Sequence, residues 1–165
     1  MHVQAFRHLF EYHFTENRKI WDNYIAHLSD EQFDQPSNYS VGSLRKQIVH
    51  LIRVDEAWFD DLAGHKLMSE HELDALDDRP TIRAYWDVLE QKMREFLAGL
   101  SEEFVLSKPF PPGQEMNVYA WQALLQVANH GTDHRAQILR QLHDFEIETG
   151  PQDYIFFVDS NPVTP

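Results

Sequence analysis

The sequence predicts an all-α protein, a four-helix bundle with a short irregular or β-hairpin insertion before its last helix. Three observations carry that expectation. Four stretches space apolar residues by alternating threes and fours, the repeat of one helix face. Prolines and glycines cluster at the ends of those stretches. And 165 residues, 42% of them apolar and 13% aromatic, are enough for one core but too few to expect two. A single domain spanning 1–165 is therefore expected.

The first helix carries Phe6, Phe10, His13, Asn17, Trp21, Tyr24 and Leu28 on one stripe. The second starts from Ser40 as N-cap, aligns Leu44, Ile48, Leu51, Asp55, Trp58 and Leu62, and stops at Gly64. An acidic loop, Leu73 to Arg79, leads to Pro80, which suits a first helical turn. The third helix follows with Ile82, Trp86, Leu89, Met93, Phe96 and Leu100. Pro109, Pro111, Pro112 and Gly113 then break the chain, with short strands expected to flank the turn. The fourth helix opens near Asn117 and carries Trp121, Leu124, Ala128, Gly131, Ile138 and Leu142. The apolar segment Tyr154–Val158 should pack against the bundle in extended form. Four amphipathic helices bury their stripes most economically against one another.

Charge and composition exclude several classes of function. Twenty-seven acidic against 14 basic residues give a formal net charge of −13. Such a surface repels phosphate backbones and anionic headgroups, which disfavours nucleic acid and membrane partners. No apolar run approaches the length of a membrane span, and no secretory leader is evident. The absence of cysteine excludes disulfides, thiolate ligands and an in-chain thiol nucleophile, and accords with a reducing cytosol. A cytoplasmic protein acting on a small molecule is expected.

His130 and His134 stand one helical turn apart and point the same way. Ten histidines in this chain would produce roughly 0.6 such pairs by chance, so the spacing needs support. Position supplies it. On a helical wheel both histidines fall on one flank of the fourth helix's apolar arc, beside Val127 and Ile138. His50 falls on the corresponding flank of the second helix, near Val54 and Ala57. Three imidazoles at the edge of a core suit a borderline divalent ion such as zinc or nickel, in a cleft open to small molecules. His13 and Asn17, polar on the core stripe of the first helix, could orient a ligand or contact substrate. Asp55 could bind substrate, or form a buried salt bridge to an arginine of the first or third helix.

Plainer roles stand beside these. His50 alone would be read as a structural histidine, and His13 with Asn17 as a core hydrogen-bond network. Trp21, Trp58, Trp86 and Trp121 read as core or dimer contacts. His65, His71 and the run Asp74–Asp78 read as solvated, with calcium a remote option for the latter.

Residues 121–157, centred on Val127-Ala128-Asn129-His130-Gly131-Thr132-Asp133-His134-Arg135-Ala136-Gln137-Ile138, resemble the last helix and tail of the DinB/YfiT-like superfamily. Asp153-Tyr154-Ile155 matches its terminal segment. Ser40-Val41-Gly42-Ser43-Leu44, leading to His50-Leu51 and Trp58, is similar to its second helix, and Asn17 to the asparagine of its first. Ala136 departs from the usual glycine and leaves the ligands untouched. The resemblance implies a homodimeric four-helix bundle with a divalent metal on His50, His130 and His134. It also implies a metal-dependent S-transferase, in which a low-molecular-weight thiol such as bacillithiol or mycothiol, held as thiolate, attacks a small electrophile. Two alternatives stay open: a hydrolase using metal-bound water, and a non-catalytic metal-binding stress-response dimer. No general base is assigned.

Overall fold

The computed structural model describes residues 2–68, 76–110 and 117–161. Among them are seven α-helices, one 3-10 turn and no strand. Four helices are long: α1 (Val3–Asn23), α3 (Leu44–Ala63), α4 (Arg79–Ala98) and α6 (Ala120–Asp144). They match the four periodic stretches of the sequence in order. Each packs on two of the others: α6 on α1 and α3, and α4 on the same pair. Three short helices complete the set, α2 (Asp30–Asp34), α5 (Glu102–Val105) and α7 (Tyr154–Ser160).

The core is where the stripes meet. Phe6, Phe10, Ile48, Leu51, Ile52, Phe59, Ile82, Leu89, Leu124, Val127, Ile138 and Leu142 are fully buried. Each such side chain contributes roughly 1.5–3 kcal/mol of burial. Phe10 meets Phe59 edge-on at 5.4 Å between ring centres, and Phe59 meets Phe96 at 5.5 Å. Trp21 and Trp86 are buried against each other, whereas Trp58 and Trp121 are only partly covered.

Helix ends follow local chemistry. The N-cap of α3 is Ser43, not the expected Ser40, and its hydroxyl accepts from the Lys46 amide. Ser40 has φ of 51° and donates its hydroxyl to Gln137 of α6. Gly64 ends α3 in the left-handed region at φ 72°, which favours glycine. Asp78 caps α4 by accepting from the Thr81 amide at 2.8 Å, with Pro80 in the first turn as expected.

Three expectations need correction. The first helix stops at Asn23 instead of reaching Leu28, because the chain turns at Ile25–His27 to bury Ile25 and Leu28. Ser29 and Gln32 then form a capping box that starts α2. The hairpin before the last helix is not supported: no strand flanks residues 111–116, which lie outside the described residues, and α5 is found upstream. The segment after Pro151 is the helix α7, not an extended strand. A five-residue apolar run cannot be assigned by periodicity alone. With no strand edge among the described residues to pair with, it satisfies its backbone as a helix.

The tail is nevertheless docked, as its composition requires. Phe157 is buried, the Tyr12 hydroxyl donates to the Gln152 carbonyl at 2.7 Å, and His8 Nδ1 lies 2.8 Å from the Tyr154 hydroxyl. No helix among the described residues is long and apolar enough to cross a membrane.

Replacing Phe10 with alanine should lower the unfolding free energy by about 3–5 kcal/mol, the range for deleting a buried phenyl ring. A urea titration followed by far-UV circular dichroism measures it. A change below about 1 kcal/mol would contradict the packing described for this ring.

Candidate metal centre

The three histidines converge. His50 projects from α3, and His130 and His134 from successive turns of α6, the helix α3 packs against most extensively. One ligand atom from each ring lies within 4.8 Å of the other two. Nε2 of His50 and Nε2 of His130 face one another at 3.3 Å. The rings of His130 and His134 are 4.3 Å apart, and those of His50 and His134 4.6 Å.

Two aspects of this cluster fit a divalent metal. First, two nitrogens bound to one tetrahedral ion at about 2.0–2.1 Å stand about 3.3–3.4 Å apart, which is the His50–His130 separation. Second, the donor set is arranged as a ligand set. His134 donates its Nδ1 proton to Oε1 of Gln47 at 2.9 Å, which leaves Nε2 with its lone pair free. Gln47 is fully buried one turn before His50, so the bond to His134 also ties α3 to α6 at the site.

Burial favours the neutral form of the two α6 histidines even without an ion. Burial, reinforced by the neighbouring His134, lowers the pKa of His130 to about 4. Burial and His50 lower that of His134. Asp55 and Asp133 pull both the other way without reversing the balance. His134 is buried, while His50 and His130 keep part of their surface exposed.

Behind the cluster lies a buried polar spine. Arg135 is fully buried in the centre of the α6 stripe. Its Nη1 donates to Oδ1 of Asn17 at 3.1 Å and to Nδ1 of His13 at 3.3 Å. Its Nη2 donates to the Thr132 hydroxyl, and its Nε to Oε1 of Gln152. The guanidinium carbon also lies 5.2 Å from the centre of the Tyr12 ring. An arginine only donates, so Nδ1 of His13 must accept, and the His13 proton sits on Nε2. That proton goes to Oδ2 of Asp55 at 2.9 Å. Asn17 Nδ2 lies 3.1 Å from the same nitrogen. Burial pushes the Arg135 guanidinium down in pKa. Through the imidazole, its charge is balanced by the Asp55 carboxylate.

The close approach of His13 depends on Gly131. A Cβ built there would sit 2.4 Å from Cε1 of His13 and 3.1 Å from Nη1 of Arg135. No side chain fits. A glycine between the two α6 histidines is what lets α1 reach the spine.

The structure thus brings His50, His130 and His134 together and joins His13, Asn17 and Asp55 in a second, adjoining group. Asp55 forms no salt bridge to an arginine of α1 or α4. Its partner is His13, and the arginine comes from α6. Gln47, Arg135 and Gly131 were not singled out as functional from the sequence, although each is polar or small on an apolar stripe. His65 is exposed and bonds locally to the Ala63 carbonyl. Asp78 is a helix cap and Asp77 lies 3.9 Å from Arg45. His71 and Asp74 lie outside the described residues. Cavities of about 730 and 720 Å³ open elsewhere, one beside Trp21 and Arg79, the other between Tyr12, Leu125 and Tyr154.

A family model described as "DinB family" matches residues 1–162. Protein DinB of Bacillus subtilis (strain 168) is 26% identical over 159 residues, covering 88% of this chain and 89% of that protein.

Two outcomes follow from the electrostatics. Arg135→Leu leaves the Asp55 charge buried without its counter-charge and should cost about 3–5 kcal/mol, read by thermal or urea unfolding. His130 has a folded pKa of about 4 against 6.5 for a free imidazole. Below pH 6.5 the unfolded chain takes the proton first. Metal-free protein should therefore lose stability between pH 6.5 and about 4 relative to His130→Gln, whose melting temperature should fall less over that window. Parallel curves for the two proteins would contradict the burial of this ring.

Proposed function

Because the chain belongs to the DinB family, we propose that it holds one divalent metal ion on His50, His130 and His134 and activates a low-molecular-weight thiol for transfer to a small electrophile. The observation that carries this reading is the convergence of three imidazoles, one ligand atom of each lying within 4.8 Å of the other two. A borderline ion such as zinc or nickel on three neutral ligands keeps its charge uncompensated and supplies Lewis-acid chemistry, holding a thiol deprotonated at neutral pH.

The chain's own residues supply position and access. Gln47 fixes the orientation of His134 from behind. Exposed parts of His50 and His130 provide the side from which a small thiol can approach. None of the 165 residues is cysteine, so the attacking sulfur comes from a second molecule. The four long helices make a four-helix bundle in this reading. A homodimer, as the resemblance implies, is part of the same proposal, and Tyr154, Ile155 and Phe156 are exposed apolar residues that a second copy could cover.

Hydrolysis is the second reading, with water in place of the thiol. The feature favouring it is Asp133, an exposed carboxylate whose charge acts on both His130 and His134 and which accepts from Gln137 at 2.9 Å. It is the available group for a base. Asp55 is committed to His13.

Elemental analysis of untagged protein prepared without chelator should find about one zinc or nickel per chain. His134→Ala should lose it while keeping its helical spectrum. Metal-loaded protein should then conjugate a low-molecular-weight thiol to a chloro- or epoxide-type electrophile. Ester or amide turnover without thiol would select the hydrolytic reading. Metal binding with neither reaction would leave a non-catalytic metal protein, and no metal after reconstitution would overturn the proposal.

A further inference from the structure

Three buried polar atoms in and behind the histidine cluster have no hydrogen-bond partner: Nε2 of Gln47, Nδ1 of His130 and Oδ1 of Asp55. The chemistry of the last two is complementary. The His130 ring turns Nε2 toward His50, so Nδ1 faces away from the cluster. A neutral imidazole that offers Nε2 as a lone pair carries its proton on Nδ1, and a buried N–H needs an acceptor. Asp55 has one oxygen already used, Oδ2 on the His13 Nε2 proton at 2.9 Å. Its other oxygen is buried and free.

The fold connects the two residues through His13. The His13 ring approaches Gly131, the residue after His130, so closely that a Cβ there would sit 2.4 Å from its Cε1. Asp55 is bonded to that same imidazole ring. The His13–Asp55 pair is therefore packed on the turn of α6 that carries His130. His134 has a buried acceptor behind it in Gln47, and His130 is the α6 histidine for which none has been assigned. Histidines that bind metals usually donate their second N–H to a carboxylate, a carbonyl or a water, which fixes the ring's tautomer and raises its basicity.

We propose that Asp55, held in place by His13, is a positioning residue for His130: through one bridging water, Oδ1 takes the Nδ1 proton and presents Nε2 to the metal. This rests on the reading of the three histidines as ligands. It gives Asp55 two simultaneous jobs, one oxygen for His13 and one for His130. A carboxylate can do both. An asparagine, with a single acceptor oxygen, can do only one.

The test uses zinc, titrated against a chromophoric chelator, with wild-type protein and Asp55→Asn, both labelled with ¹⁵N-histidine. The variant should bind zinc roughly 10- to 100-fold more weakly. It should also lose the slowly exchanging Nδ1–H resonance of His130 while keeping that of His134. Unchanged affinity, or weaker binding with the His130 resonance intact, would overturn the proposal and leave the metal reading standing. Wild-type protein that takes up no zinc would sink both. If Asp55→Asn does not fold, the zinc-loaded wild-type spectrum decides. A protected Nδ1–H on His130 supports the assignment, and a proton on Nε2 or one in fast exchange overturns it.

Discussion

The buried guanidinium of Arg135 is the constraint around which the molecule is arranged. A permanent charge with no exposure to water must meet opposite charge or dense hydrogen bonding, or the fold is lost. Here it meets both. Asn17, His13, Thr132 and Gln152 accept its protons, and the Asp55 carboxylate answers its charge across the His13 ring. These partners come from α1, α3, α6 itself and the segment before α7. One side chain thereby specifies the mutual placement of four parts of the chain. Apolar stripes alone could bury themselves in several rotations; this network accepts one.

That rotation is also the one that assembles the histidines. With Arg135 turned inward on α6, His134 and His130 are set on the flank toward α3, where His50 and Gln47 wait. The site and the spine are thus two consequences of a single helix orientation. Their chemistry differs usefully. The spine is closed, and each of the nitrogens of Arg135 named above has a partner. The cluster is partly open to solvent, with Nε2 of His50 facing Nε2 of His130 at 3.3 Å.

Much of this was legible in the sequence because it depends on period. The four long helices, the flank shared by His50, His130 and His134, and the burial of His13 and Asn17 all follow from 3.6 residues per turn. Asp55 was seen as a buried acid, but its partner was not. A helical wheel gives the face of each residue and says nothing of the depth at which two helices touch, so His13 could not be chosen over an arginine. Arg135 falls on the apolar stripe of α6, and a helical wheel does not say which groups on other helices meet its charge. The tail, and the β-hairpin alternative before α6, depart from the sequence expectation for another reason. Short apolar or proline-rich segments carry no period, and whether they coil or extend is decided by what backbone partners the rest of the fold leaves available. With no strand among the described residues, α7 satisfies its backbone within itself.

The contact between Gly131 and His13 has a meaning for how such chains diverge. A glycine in mid-helix loosens that helix, and here nothing compensates except the imidazole lying in the space a methyl would fill. Positions 13 and 131 are therefore one unit of heritable change. A larger residue at 131 can be accepted only in a lineage where position 13 has already shrunk, and a shrunken position 13 strands both Arg135 and Asp55. The two sites are 118 residues apart along the chain, yet neither can drift alone. Among related sequences they should be either both kept or both replaced, together with the charges they separate.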